Sequence, residues 1–143
     1  MDTYAFLAAA TDSLTPAAVA ALMDIKSGRV RGVIHYLVAY EVFYHWRRGR
    51  LPGFAAEGEV GEYLKTAFAS LGLNHEVAGQ AARVKAEGDS MLEEAKDPSL
   101  RSRRLSSCDA TTIALGKLFR VPILSGDKDL IYVARAFDLE VVW

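Results

Sequence analysis

Apolar and polar positions along the chain alternate between long stretches of helical spacing and short β-branched runs. "TPAAVAALMDIKSG" predicts a helix with Thr15 as N-cap, Pro16 at its first position and Gly28 as its stop. "RGVIHY" is short and β-branched and predicts a strand. "LVAYEVFYHWRRG" predicts a helix whose basic end and Gly49 suit the helix dipole. "GEVGEYLKTAFAS" predicts another helix, followed by a short strand near Ser70 to Leu73. "NHEVAGQAARVKAEGDSMLEEAKD" predicts one long helix or two, with Asn74 as N-cap. The last third reads as helix "SSCDATTIALGKLF", buried strand "VPILS", helix "DKDLIYVARAF" and strand "LEVVW".

Strands alternating with helices imply parallel pairing through crossovers. The expected fold is therefore α/β, a three-layer α/β/α sandwich around a central, mostly parallel sheet. The 143 residues, 51% of them hydrophobic, fit a single domain over 1–143. A net charge of −1 and a pI near 6.3 point to no general affinity for nucleic acid or membrane. The start "MDTYAF" has no basic region typical of a signal peptide. A lone Cys108 allows no intrachain disulfide, makes a cysteine zinc site a poor expectation, and reads as a small core residue. A reducing cytoplasm is the simplest setting.

Candidate chemistry lies in the carboxylates. In a parallel sheet the strand ends and following helix starts share one edge, where ligands bind. Asp127 follows "VPILS", Asp109 opens a helix, Glu41 lies early in the helix after "RGVIH", and Asp2 precedes "TYAFLAAA". All four are expected at that edge. Each has a plainer reading: Asp109 as a capping partner of Ser106, Asp127 and Asp129 as cap and first-turn acids, Asp2 as incidental. Glu41 interrupts an apolar run expected to be buried on most sides, so it needs a cation, either an arginine or a metal. Carboxylates without a Cys or His cluster suit Mg²⁺ or Mn²⁺, one or two ions, acting on a phosphate ester.

These residues resemble the PIN-domain ribonucleases, and among them the VapC-type toxins of toxin–antitoxin pairs. "MDTYAFL", "YLVAYEVFYHWRRG", "SSCDATTIALG" and "ILSGDKDL" stand in the order of that family's four motifs. The resemblance implies Asp2, Glu41, Asp109 and Asp127 as catalytic metal ligands. It implies Asp129 as a further ligand or an acid behind the ligands, and Thr3 and Ser125 as hydroxyls that orient them. It also implies a homodimer and a small antitoxin protein as partner; no membrane is expected, because no apolar run approaches the roughly 18 residues that span a bilayer. The family usually has a strand before its first aspartate; here Met1 alone precedes Asp2, so that strand is short or missing.

The expected function is a metal-dependent endoribonuclease that leaves 5′-phosphate and 3′-hydroxyl ends. Arg47, Arg48, Arg50, Arg101, Arg103 and Arg104 are candidates to hold the RNA backbone. A non-catalytic RNA-binding or regulatory module of the same fold is the alternative. A phosphatase with Asp2 as nucleophile is a third. His45, four residues after Glu41, reads as a partly exposed helix residue. Tyr36, Tyr40, Phe43, Tyr44 and Trp46 read as core rather than as a platform for bases, with any exposed ones open to a substrate path.

Overall fold

The computed structural model describes residues 1–143 as eight helices and four short strands. They are α1 (Thr3–Ala10), α2 (Pro16–Lys26), β1 (Gly32–His35), α3 (Tyr36–Arg47), α4 (Glu57–Ala67), β2 (Phe68–Leu71), α5 (His75–Glu93), α6 (Pro98–Arg101), α7 (Ser107–Phe119), β3 (Ile123–Leu124), α8 (Lys128–Ala136) and β4 (Val141–Val142). The chain is thus α/β and rich in helix. Its strands pair as two two-stranded sheets, β1 with β2 and β3 with β4. No helix is long and apolar enough to cross a membrane. The chain divides into two compact units, residues 1–72 with 142–143, and residues 73–141.

In the first unit, β1 and β2 run parallel with Gly32 opposite Phe68 and His35 opposite Leu71. Helices α3 and α4 form the crossover between them. The N-terminal amine of Met1 donates to the Val33 carbonyl at 2.9 Å, so the residue before Asp2 is tied to β1. Phe6, Ile34, Val38, Val42, Val60, Leu64 and Phe68 are buried here, each burial stabilising by roughly 2 kcal/mol. Gly32 has no room for a side chain: a Cβ would sit 2.7 Å from Ile25 Cγ2 and 2.8 Å from Phe68 Cδ1. At the end of α3, Gly49 takes a φ of +70° and turns the chain out of the helix.

The second unit is built on α5, whose Val77, Ala81, Val84, Gly88 and Leu92 form one buried face at helical spacing. That face packs on α7, which is buried from Ala110 to Gly116. Leu130, Val133 and Ala134 of α8 complete the core. A Cβ on Gly88 would lie 3.0 Å from Val133 and 3.1 Å from Leu105, so the glycine permits a close approach. The sheet of β3 and β4 is joined by a bond from the Ile123 N–H to the Glu140 carbonyl.

Three local expectations change. "VPILS" contributes only two strand residues, because Pro122 has no N–H to donate and Val121 and Pro122 are exposed. The strand after α4 starts at Phe68, earlier than expected. Helix α3 is not buried on most sides: Val38 and Val42 are covered, while Tyr36, Tyr40 and Tyr44 are exposed. Its contacts with α1, α4 and β1 use the other face.

His35 ends β1 and stands at the N-cap of α3, buried. Burial, helped by the positive chain terminus, lowers its pKa from 6.5 to about 4. The unfolded chain therefore binds the extra proton between pH 6.5 and pH 4, and stability rises with pH across that window. At 1.36 kcal/mol per pH unit, acidifying from pH 7 to pH 5 removes about 2 kcal/mol through this group. Urea titrations at both pH values should show that loss in the wild type and a clearly smaller one in His35→Gln. Equal losses would mean that His35 does not control the acid limb.

Candidate functional site

The candidate residues are placed by helix starts. Asp2 is the N-cap of α1: Oδ1 accepts the Thr3 N–H at 2.6 Å and Oδ2 the Tyr4 N–H at 3.3 Å. It is only 3% exposed. The adjacent Thr3 hydroxyl donates to Glu41 Oε2 on α3 at 2.7 Å. The first unit therefore gathers Asp2, Thr3 and Glu41, two carboxylates and the hydroxyl that orients one of them. This cluster follows from packing α1 on α3, because Ala5, Phe6 and Ala8 turn the helix inward and carry its first turn with them. His45, one turn beyond Glu41, has a pKa lowered by burial and by Arg50, with Glu41 acting in the opposite direction.

In the second unit Asp127 is the N-cap of α8. Its Oδ1 accepts the N–H groups of Asp129 at 2.8 Å and Leu130 at 3.4 Å. The buried Ser125 hydroxyl accepts the Asp127 N–H at 3.1 Å, which sets the approach of the chain to the helix. Asp129 is 6% exposed. Its Oδ2 pairs with Arg103 Nε at 2.7 Å, and its Oδ1 is buried without a hydrogen-bond partner. Burial and the charge of Asp127 raise the Asp129 pKa, against the pull of Arg103. Asp109 forms a capping box at the start of α7: Ser106 Oγ accepts its N–H at 3.0 Å, and its Oδ2 accepts the Ser106 N–H at 3.3 Å. Within neither unit do three or more His, Cys, Asp or Glu side chains gather into a group that could hold a metal ion.

The arginines divide. Arg47 pairs with Glu57 and Arg104 with Glu93, both at the surface. Arg101 donates from Nε to the Ala95 carbonyl at 2.7 Å. Arg103 serves Asp129. Arg48 and Arg50 enter no ion pair, though Arg50 reaches the His45 ring at 3.2 Å. The Arg103–Asp129 contact was not foreseen, since 26 residues of sequence separate the partners.

No family model matches the chain, and neither the curated proteins nor the solved structures give a match.

The Thr3–Glu41 bond is the one testable link inside the first cluster. Thr3→Val keeps the shape and removes the donor to a carboxylate. A loss of about 1 kcal/mol is expected, below the usual 1.5–3 for a bond to a charged group because Glu41 is only half-buried. Thr3→Ser should recover most of it. A double-mutant cycle with Glu41→Gln, read by urea unfolding, should give a coupling of similar size; additive losses would show that the hydroxyl does not hold Glu41.

Proposed function

We propose that the chain is a metal-dependent endoribonuclease with the PIN-like three-layer sandwich and a VapC-like character. Asp2, Glu41, Asp109 and Asp127 are its ligands, Asp129 a further one, and Mg²⁺ or Mn²⁺ its cofactor. RNA is the substrate; a second copy of the chain and a small antitoxin protein are its partners, and the cytoplasm its setting.

The observation that carries this reading is the buried Oδ1 of Asp129. A desolvated carboxylate oxygen without a donor is unfavourable by itself. Burial first, and then the charge of the neighbouring Asp127, raise the pKa of this carboxyl against the pull of Arg103. A hard divalent cation is the partner that satisfies oxygens of this kind. The donor types around the Asp129 oxygen suit such an ion: Asp127, Asp129 and the Ser125 hydroxyl of the second unit offer oxygen alone. When bound, such an ion supplies charge neutralisation at phosphate oxygens and a water of lowered pKa. The residues do the rest by position. Thr3 holds Glu41, Ser125 holds the main chain at Asp127, and the α8 N–H groups hold Asp127 Oδ1.

A second reading is favoured by the caps themselves. Asp2, Asp109 and Asp127 each bond the main chain at a helix start, which is sufficient reason for an aspartate there. In that case the chain is a non-catalytic RNA-binding or regulatory module. The two readings differ in metal response. Purified protein should cleave single-stranded RNA with Mg²⁺ or Mn²⁺, lose activity in EDTA and lose it in Asp127→Asn. No cleavage of varied RNAs with either ion would overturn the nuclease reading.

Thermal melts separate ligand from cap at Asp109. As a ligand, Asp109→Asn relieves repulsion among carboxylates, so the variant in EDTA should be as stable as wild type or slightly more so. Millimolar Mn²⁺ should then raise the wild-type Tm more than the variant's, because only a folded site binds the ion. As a cap alone, the variant should lose up to about 1 kcal/mol with or without Mn²⁺. Equal metal-induced shifts would remove Asp109 from the ligand set.

A further inference from the structure

Three exposed aromatic rings lie on one face of α3. Tyr36, Tyr40 and Tyr44 are 66%, 58% and 48% exposed. They recur every fourth residue, with about 6 Å of helix rise between successive rings. The same spacing continues to Arg48, exposed just beyond the last turn, and Arg50 follows it. A single exposed tyrosine is ordinary. Three in register, on a helix that buries Val38 and Val42 on another face, are not explained by packing.

The charge along this face has one sign. Between Tyr36 and Arg50 the only acid is Glu41, and Thr3 of α1 holds it. Arg47 is neutralised by Glu57, whereas Arg48 and Arg50 form no ion pair. The stripe carries a hydroxyl on every ring and runs into two cations that no acid neutralises, Arg48 and the Arg50 that touches the His45 ring, so its charge complements a phosphate backbone. Stacking platforms that end in phosphate-binding cations are how single strands are held without regard to sequence.

We propose that the Tyr36–Tyr40–Tyr44 face of α3 is a track for single-stranded RNA, with bases stacked on the rings and phosphates against Arg48 and Arg50. The choice of RNA rests on the nuclease reading above; the stacking does not require cleavage.

The test is fluorescence anisotropy of the full chain with a labelled 12-nucleotide oligouridine in EDTA, where metal-dependent cleavage is off. Wild type should bind, and each of Tyr36→Ala, Tyr40→Ala and Tyr44→Ala should weaken binding about tenfold. Tyr40→Phe should keep most of the affinity, since stacking needs the ring. Arg48→Gln should lower the slope of log affinity against log salt by about one. Melting curves confirm that each variant is folded. No binding by wild type, or tyrosine variants that bind as wild type does, would overturn the track. So would variants that turn a dimer into a monomer with RNA affinity unchanged, which would make the face a contact with a second copy. A parallel cleavage assay with Mn²⁺ keeps the two readings apart. Ring-dependent binding without cleavage sinks the nuclease and keeps the track; cleavage indifferent to the rings sinks the track alone.

Discussion

The unpaired N–H groups at helix starts are the constraint on which the rest of this molecule depends. The first turn of a helix has donors with no partner inside it, and a short side chain with an oxygen must meet them. Asp2 does so for α1, Asp127 for α8, and Ser106 with Asp109 for α7. Each cap fixes a carboxylate at a strand end or loop end, where the chain changes direction. At Asp127 both bonds end on Oδ1, and at Asp109 the main-chain bond ends on Oδ2. At Asp127 the cap thus orients the carboxylate through one oxygen, whereas at Asp2 both oxygens accept N–H groups. Structural and ligand roles can therefore share one side chain.

The helix boundaries were legible because caps are local. Thr15 with Pro16, Asn74, and Ser106 three residues before Asp109 all stand where the sequence places them. Strands were less legible. β3 and β4 are two residues each, and their pairing depends on hydrogen bonds across α8 rather than on any run of apolar residues. The apolar pattern overstates the burial of α3 because tyrosine counts as apolar while its ring and hydroxyl can face water. The recurrence of Tyr36, Tyr40 and Tyr44 at every fourth residue is the signal that one face differs.

Within the candidate site, residue identities were readable but their contacts were not. Nothing near Arg103 in sequence says that it pairs with a buried aspartate, and two of the other arginines are matched by Glu57 and Glu93 from separate elements. A run of basic residues in sequence thus overstates the positive surface. Of the six candidate arginines, Arg48, Arg50 and Arg101 enter no ion pair, and the first two stand together at the end of one helix.

Leu105 has a bearing on how the second unit assembles. Its N–H donates to Asp89 Oδ1 at 2.8 Å, and its carbonyl accepts from Lys85 Nζ at 2.7 Å. Burial works to raise the Asp89 pKa, but its bonds from Lys85 and Leu105 hold it below the usual carboxylate range. Two side chains of α5 thus satisfy both main-chain groups of a residue that has no strand neighbour. The loops closed are short, 16 and 20 residues, so little chain entropy opposes them. Contacts of such short separation do not wait on distant parts of the chain, and through Leu105 they tie α5 to the residue that leads into the Ser106 cap of α7.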